Sequence, residues 1–349
     1  MVNNNLPIKT LIVDDSVVIR KVLERLFKGD SRFRVVGEAG SCKEALRMIK
    51  SMELDLITMD LHMPDGTGLD VIKSYMNLKP VSTVVISSLR PEESNLVLES
   101  LENGAIDYIE KPDQKTLLTK KAEILDRLFH ASQSKKAIRV SSVKRKALLK
   151  WPANSILLIG ASTGGVEAIH NVLGQLGSEI PPTLIVQHIP PFFSAAFAER
   201  LDKVLPFEVR EAKQGEMLSD NKVLIAPGGL HMKLVRRVNQ YSVVLEESAP
   251  VNRHRPSVDV LFDSANQVFV GPKVGVLLTG MGADGAEGLL KLRESGAFTI
   301  AQDEKTSIVF GMPKEAIKRG AALHICGLGE MGAAVQMGFD SFNLLKKSS

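Results

Sequence analysis

The chain reads as an α/β protein built from two doubly wound parallel-sheet domains, and three observations predict this. Short apolar runs rich in β-branched residues alternate with amphipathic stretches along most of the length, which is the pattern of a parallel sheet covered by helices. The chain has 349 residues, too many for one compact core. Several of the apolar runs end in polar residues able to do chemistry, and these fall into two separate groups. In parallel α/β sheets such residues collect in the crevice beyond the carboxyl ends of the strands.

The first 130 residues supply five strand-like runs: IKTLIVDD, FRVVGEA, LDLITMD, STVVISS and AIDYIEK. Helical patterns separate them. In SVVIRKVLERLFKG, for example, Val18, Val22 and Leu26 share a face and Gly29 is placed to end the helix. The expected fold of residues 1–130 is a flavodoxin-like sheet of order 2-1-3-4-5. Residues 131–150 carry seven basic side chains and no acid, with no clean apolar period, and read as a flexible linker.

From residue 151 the alternation resumes with SILLIG, TLIVQH, FEVREA, KVLIAPG, VGVLLTG, FTIAQD and ALHIC. A larger Rossmann-like domain over 151–349 is expected. KLVRRVNQYSVVLEE departs from the pattern. Its two β-like arms flank Asn239-Gln240 and predict a β-hairpin inserted into the framework. The last residues, SFNLLKKSS, read as a frayed tail without a role.

Bulk composition excludes several functions. Hydrophobic residues make up 44% of the chain, enough for two cores, yet no run approaches the ~18 apolar residues of a membrane span. The first residues, MVNNNLPIKT, lack the apolar core of a signal peptide, so a cytoplasmic location and no direct membrane insertion are expected. Cys42 and Cys326 show no metal-ligand spacing and suit a reducing compartment. The net charge of +4 invites a nucleic-acid reading. The excess positive charge lies in the linker, and both flanking domains are slightly acidic, so no basic face for nucleic acid is indicated.

Asp14 and Asp15 end the first strand, Asp60 the third, and Lys111 the fifth. The 2-1-3-4-5 order brings these ends together. Three carboxylates at one edge repel each other, and a hard divalent cation relieves the repulsion; Mg²⁺ binds carboxylates and phosphate together. Lys111 adds a point charge for a phosphoryl oxygen. Helix capping is the simpler role for any one of these aspartates.

With VDDS at 13–16, MDLHMPDGTG at 59–68, Ser87, and EKP at 110–112, residues 6–128 resemble a response-regulator receiver domain. The resemblance implies that Asp60 accepts a phosphoryl group from a histidine kinase. It implies Mg²⁺ held by Asp14, Asp15, Asp60 and the backbone at His62. Ser87 and Tyr108 match the switch positions that report phosphorylation.

In the second domain, SILLIGASTGG runs from an apolar strand into a turn of small residues and a helix expected near Val166. Gly160-Ala161-Ser162-Thr163-Gly164 matches G-x-S-x-G, a spacing that presents a serine hydroxyl at a strand-to-helix turn. The helix N-terminus beside it favours developing negative charge. A dinucleotide-binding turn is the competing reading. His188, not an acid, ends the next strand, and Tyr241 lacks a lysine four residues on, so a nicotinamide-dependent reductase is disfavoured.

His188 lies one βα unit after Ser162, where it is positioned as general base. Asp284, in LLTGMGADG, follows another strand and suits orienting the imidazole; the simpler reading is an N-cap for AEGLLKLRESG. The surrounding glycines suggest a backbone that presents N–H groups, with that of Met281 as oxyanion donor. The order Ser…His…Asp differs from that of α/β-hydrolases, so the motif does not imply their fold.

GASTGG at 160–165, QHIPPFF at 187–193, APGGLHM at 226–232, HRPSVDVLF at 254–262, TGMGADGA at 279–286 and AQDEKTSIVFGMP at 301–313 together resemble the catalytic domain of the chemotaxis-receptor methylesterase family. The resemblance implies Ser162 as nucleophile, His188 as base and Asp284 as its orienter. It implies removal of methyl groups from glutamate γ-methyl esters of chemoreceptors, deamidation of particular receptor glutamines, and no cofactor for hydrolysis. The expected partners are a chemotaxis histidine kinase and methyl-accepting chemoreceptors. It also places the loop of His254, before a helix expected near Pro256, close to the active site. His254 is a candidate for substrate contact, and the Thr163 hydroxyl for substrate positioning. The rival expectation is a non-enzymatic response regulator acting through phosphorylation-dependent partner binding.

Overall fold

The structure, a computed structural model, describes residues 6–88, 90–134, 151–238 and 240–347. Most of the stretch expected to be a linker lies outside them. The chain divides into two units, Met1–Ala137 and Ile138–Ser349.

In the first unit the strands are β1 (Ile8–Val13), β2 (Phe33–Ala39), β3 (Leu56–Met59), the two-residue strands β4 (His62–Met63) and β5 (Gly66–Thr67), β6 (Ser82–Ser87) and β7 (Asp107–Glu110). The helices are α1 (Val17–Lys28), α2 (Cys42–Ser51), α3 (Gly68–Met76), α4 (Ser94–Glu102) and α5 (Gln114–Gln133). The sheet order is β2-β1-β3-β6-β7, all parallel; setting aside the β4–β5 ribbon, this is the expected 2-1-3-4-5 order. The helices begin where the sequence supplies caps. Ser16, Ser41 and Thr67 each accept an N–H of the following turn. Helix α5 continues to Gln133, three residues into the segment read as linker.

In the second unit the strands are β8 (Ile156–Ala161), β9 (Thr183–Gln187), β10 (Glu208–Glu211), β11 (Lys222–Ile225), β12 (His231–Arg237), β13 (Gln240–Glu246), β14 (Lys273–Leu277), β15 (Phe298–Gln302) and β16 (His324–Cys326). The helices are α6 (Gly165–Gln175), α7 (Phe193–Val204), α8 (Val258–Val268), α9 (Ala286–Glu294), α10 (Met312–Lys318) and α11 (Met331–Lys347). A seven-stranded parallel sheet runs β10-β11-β9-β8-β14-β15-β16. The strands β8, β9 and β14 are buried along their whole length, as expected for a sheet covered on both faces. Phe193, Phe197, Phe262 and Phe339 are fully buried, each worth about 1.5–3 kcal/mol of transfer free energy.

The inserted hairpin is present as β12–β13, antiparallel, with Arg237 opposite Gln240. Gln240 therefore belongs to the second arm and not to the turn, which starts at Val238; Asn239 lies outside the described residues. The tail is also corrected. Helix α11 runs to Lys347, anchored earlier by Phe339, whose ring meets Trp151 edge-on at 5.2 Å. Helix α8 begins at Val258, two residues later than expected, because the Ser257 hydroxyl caps it.

Candidate active site and phosphoacceptor site

In the first unit, β1 and β3 pair so that Val13 lies opposite Met59, and the next residues, Asp14 and Asp60, share the sheet edge. Both are buried. Lys111 reaches them from the end of β7, its Nζ lying 2.9 Å from Asp14 Oδ2 and 2.8 Å from Asp60 Oδ2. Among the described residues these two oxygens have no other hydrogen-bond partner. Burial raises the Asp14 pKa, with the neighbouring Asp60 charge adding to it and Lys111 opposing. Asp14, Asp15 and Asp60 offer carboxylate oxygens all within 4.8 Å of one another. This all-oxygen donor set, with two oxygens satisfied only by a lysine, fits Mg²⁺.

Ser87 is at the end of β6. Its hydroxyl donates to Glu93, as does that of Ser88 at 2.7 Å. Tyr108 is buried, with its hydroxyl 3.5 Å from the Ser87 carbonyl oxygen. The predicted switch residues are thus brought together, and Glu93, on a 3₁₀ turn before α4, joins them. Nothing in the sequence marked Glu93.

In the second unit the strand register builds the site. Ala161 lies opposite Gln187 in β8–β9, and Gly160 opposite Leu277 in β8–β14, so Ser162, His188 and the 279–284 loop emerge side by side. The Ser162 N–H donates to Thr279 O at 3.0 Å, and the His188 N–H to Ala161 O at 3.1 Å. The Gln187 amide donates to Ser162 O at 2.8 Å. The turn after Ser162 closes through Gly164 at φ 77°, where a Cβ would meet the Ile308 side chain at 2.7 Å. Helix α6 then starts at Gly165.

His188 Nε2 lies 2.8 Å from Asp284 Oδ2, with both side chains almost wholly buried. Asp284 does not cap α9, whose N-cap is Gly285 with no side-chain bond. It faces the N-terminus of α8 instead. Val258 N–H donates to Oδ2 at 2.7 Å; Ser257 Oγ donates to Oδ1 at 2.7 Å and Asn252 Nδ2 at 2.9 Å. Burial alone would raise the Asp284 pKa. The hydrogen bond and charge of His188, with Asn252 and Ser257, outweigh it and hold the carboxyl well below the usual range. An ionised carboxylate at Nε2 requires the proton there and leaves Nδ1 as the basic nitrogen. Nδ1 is buried and has no hydrogen-bond partner among the described residues, so the Ser162 hydroxyl, on the neighbouring strand end, is not bonded to it in this state. Catalytic hydrogen bonds are often long before substrate binds.

The Gly280 carbonyl accepts from Gly311 N–H at 3.1 Å and Met312 N–H at 2.8 Å. A trans peptide points its N–H opposite to its C=O, so the N–H of Met281 faces away from these two donors. Gly280 packs against the nucleophile: a Cβ there would lie 2.6 Å from Ser162 Cβ. Thr163 is buried, and its carbonyl accepts from the Thr279 hydroxyl at 3.0 Å. The ring of His254 stacks on that of His188, centroids 3.7 Å apart and planes 12° from parallel. Sequence reasoning missed Asn252, Ser257 and Asp259. Ser257 was legible as a cap before VDVLF. Asp259 Oδ2 accepts from Asn252 Nδ2 at 2.7 Å and Oδ1 from Gly288 N–H at 2.7 Å.

A receiver-type phosphoacceptor pocket and, on a separate α/β sheet, a serine beside a buried aspartate–histidine pair define a receiver-linked hydrolase. Residues 157–335 match the family model of the CheB methylesterase, and residues 10–123 that of the response regulator receiver domain. The chain is 43% identical over 336 residues to the protein-glutamate methylesterase/protein-glutamine glutaminase of Chromohalobacter salexigens, covering 94% of this chain and 95% of that one. It is 41% identical over 344 residues to protein-glutamate methylesterase/protein-glutamine glutaminase 1 of Hahella chejuensis, covering 94% of this chain and 95% of that one. The crystal structure of the Thermotoga maritima CheB methylesterase catalytic domain matches with 36% identity and a TM-score of 0.51, covering 52% of this chain and 97% of that one. The chain belongs to the CheB family of receiver-linked protein-glutamate methylesterases.

Proposed function

We propose that this chain is a phosphorylation-controlled serine hydrolase that demethylates glutamate γ-methyl esters of chemoreceptors and deamidates receptor glutamines. The observation that carries the mechanism is the buried His188–Asp284 pair at the end of the strand beside Ser162. Ser162 Oγ attacks the ester carbonyl while His188 Nδ1 takes its proton. The Met281 N–H and the N-terminus of α6 stabilise the oxyanion. His188 returns the proton to the departing methoxide, and methanol leaves. Water, activated by the same imidazole, then releases the free glutamate. Asp284 stabilises the imidazolium at both steps. Thr163 fixes the turn, and His254 lines the substrate side of the base.

In the receiver, Asp60 accepts the phosphoryl group from a chemotaxis histidine kinase. Asp14, Asp15 and Asp60 would hold Mg²⁺, which neutralises phosphoryl charge. Lys111 contacts the phosphoryl oxygens, and Ser87 leaves Glu93 to do the same, with Tyr108 following. The unmodified receiver restrains the hydrolase, and phosphorylation relieves it. A shift from 1:99 to 99:1 in favour of the open state requires about 5.5 kcal/mol. No helix among the described residues is long and apolar enough to cross a membrane.

The test is methanol release from methylated receptor membranes. Ser162→Ala should abolish it, and undiminished release rejects the mechanism. A chain starting near Lys150 should outperform the unphosphorylated full-length protein; equal or lower activity rejects restraint by the receiver.

A further inference from the structure

Outside the three reacting groups, the second unit holds another fully buried imidazole, that of His231 at the start of β12. Both of its nitrogens bind backbone. The Ser257 N–H donates to Nδ1 at 3.2 Å, and Nε2 lies 3.1 Å from Ala249 O. One tautomer satisfies both contacts: Nδ1 unprotonated to accept, Nε2 protonated to donate. The two partners are the ends of a single segment, 249–257, so the imidazole closes that segment into a loop.

The loop carries groups that touch the catalytic pair. Within it, Val251 and His254 exchange backbone hydrogen bonds at 3.1 and 2.9 Å, and Asn252 and Arg253 both adopt positive φ, 52° and 69°. This tight turn aims the Asn252 amide at Asp284 and lays the His254 ring on His188. At the C-terminal end, the residue held by His231 is Ser257, whose hydroxyl donates to Asp284 Oδ1, and the next N–H, of Val258, donates to Oδ2. A shift of Ser257 therefore moves two donors of Asp284 together. The aspartate, fixed in turn to His188 Nε2, sets the direction in which Nδ1 faces the nucleophile.

We propose that His231 is a positioning residue for the hydrolysis: through Ala249 and Ser257 it holds the 249–257 loop so that Asp284 and His254 fix the His188 ring. This gives the inserted hairpin a catalytic purpose, since β12 is one of its arms. The inference rests on Ser162, His188 and Asp284 being the reacting groups.

The two arms of the imidazole are separable by substitution. In His231→Asn the side-chain oxygen takes the place of Nδ1 and accepts from Ser257. In His231→Gln the amide nitrogen takes the place of Nε2 and donates to Ala249. Ser257 adjoins Asp284 and Ala249 does not, so the Asn variant should keep most of the wild-type kcat. The Gln variant should lose about tenfold and His231→Ala about 30-fold, all with KM changed less than about threefold. A residue that only fills the core gives kcat values that follow the melting temperature, with Asn no better than Gln.

The measurements are initial rates of methanol release by phosphorylated full-length protein, with melting temperatures alongside and Ser162→Ala as control. Nitrogen-15 NMR of labelled histidine in the wild type should show one histidine, lost from the His231→Asn spectrum, with an unprotonated Nδ1. If His231→Ala does not fold, the Asn–Gln comparison and the wild-type spectrum decide. Equal kcat for Asn and Gln, or a protonated Nδ1, overturns the proposal while leaving the catalytic assignment standing. Undiminished release by Ser162→Ala brings down both.

Discussion

Asp284→Asn separates the charge of this side chain from its shape. In the wild type both oxygens face donors: His188 Nε2 and Val258 N–H at Oδ2, and Asn252 Nδ2, Ser257 Oγ and Asp259 N–H at Oδ1. An asparagine must turn its NH₂ to one side. Neither backbone N–H can reverse; that of Val258, at 2.7 Å, is closer than that of Asp259, at 3.3 Å, so the amide oxygen stays at Oδ2 and the NH₂ is opposed by the Asp259 N–H and the Asn252 amide. An unsatisfied buried donor costs about 1–3 kcal/mol, which lowers the melting temperature of a domain this size by about 2–12 °C. The amide oxygen still accepts from Nε2, so the tautomer of His188 survives. What is lost is the charge beside the imidazolium. A charge pair about 4 Å apart in an effective dielectric of about 20 is worth about 4 kcal/mol, or about three orders of magnitude in rate. The expected result is a kcat reduced about 10³-fold with KM little changed, read from methanol release under saturating methylated receptor. Asn252→Ala, which leaves Asp284 ionised with its other donors, should lose less than about tenfold. An Asp284→Asn enzyme within tenfold of wild type would refute an imidazolium stabilised by this carboxylate.

Gly68→Ala puts a Cβ 2.0 Å from the Asp60 backbone oxygen; it should destabilise the receiver by about 1–3 kcal/mol and slow phosphorylation of Asp60, and normal phosphotransfer kinetics would count against the packing described. Glu93→Ala frees the Ser87 and Ser88 hydroxyls, so half-saturation by beryllium fluoride with Mg²⁺ should fall about five- to tenfold, and an unchanged midpoint refutes a holding role for Glu93. Asp259 has its pKa pushed up to about 6 by burial, with the charge of Asp284 adding to it. A raised carboxylate pKa gives stability that is complete below the unfolded value and is lost as pH rises through the folded one. The stability of wild type minus that of Asp259→Asn should therefore increase from about pH 7 to about pH 5; a flat difference in denaturant midpoints contradicts the assignment. Asp284 has the opposite sign, its contribution being present above its unfolded pKa near 3.8 and lost below that.

Fold and site were legible to different depths. Alternating β-branched runs gave the strands because a doubly covered parallel sheet buries both faces, as in β8, β9 and β14. Parallel register then put Ser162 and His188 side by side, so recognising the strand ends was enough to find them. The Asn252 amide and the His231 imidazole were not legible. Their roles depend on how one irregular loop folds back over a distant helix N-terminus, which no periodicity encodes. The role of Asp284 was half legible: the aspartate does meet a helix N-terminus, but that of α8, brought near by tertiary packing, and not that of the helix following it in sequence. The tail was misread because its polar residues hid a helix anchored by Phe339 farther upstream.

The middle of the larger sheet also orders events in time. The serine strand β8 lies between β9, which follows it directly, and β14, which is made much later. His188 and Asp284 are 96 residues apart, so at about 5–20 residues per second the ribosome delivers the aspartate roughly 5–20 s after the histidine. Until β14 slots in beside β8, the nascent polypeptide carries a serine and an imidazole with nothing to steer them. Esterolytic competence is thus acquired last, after the receiver has left the exit tunnel and has had time to fold.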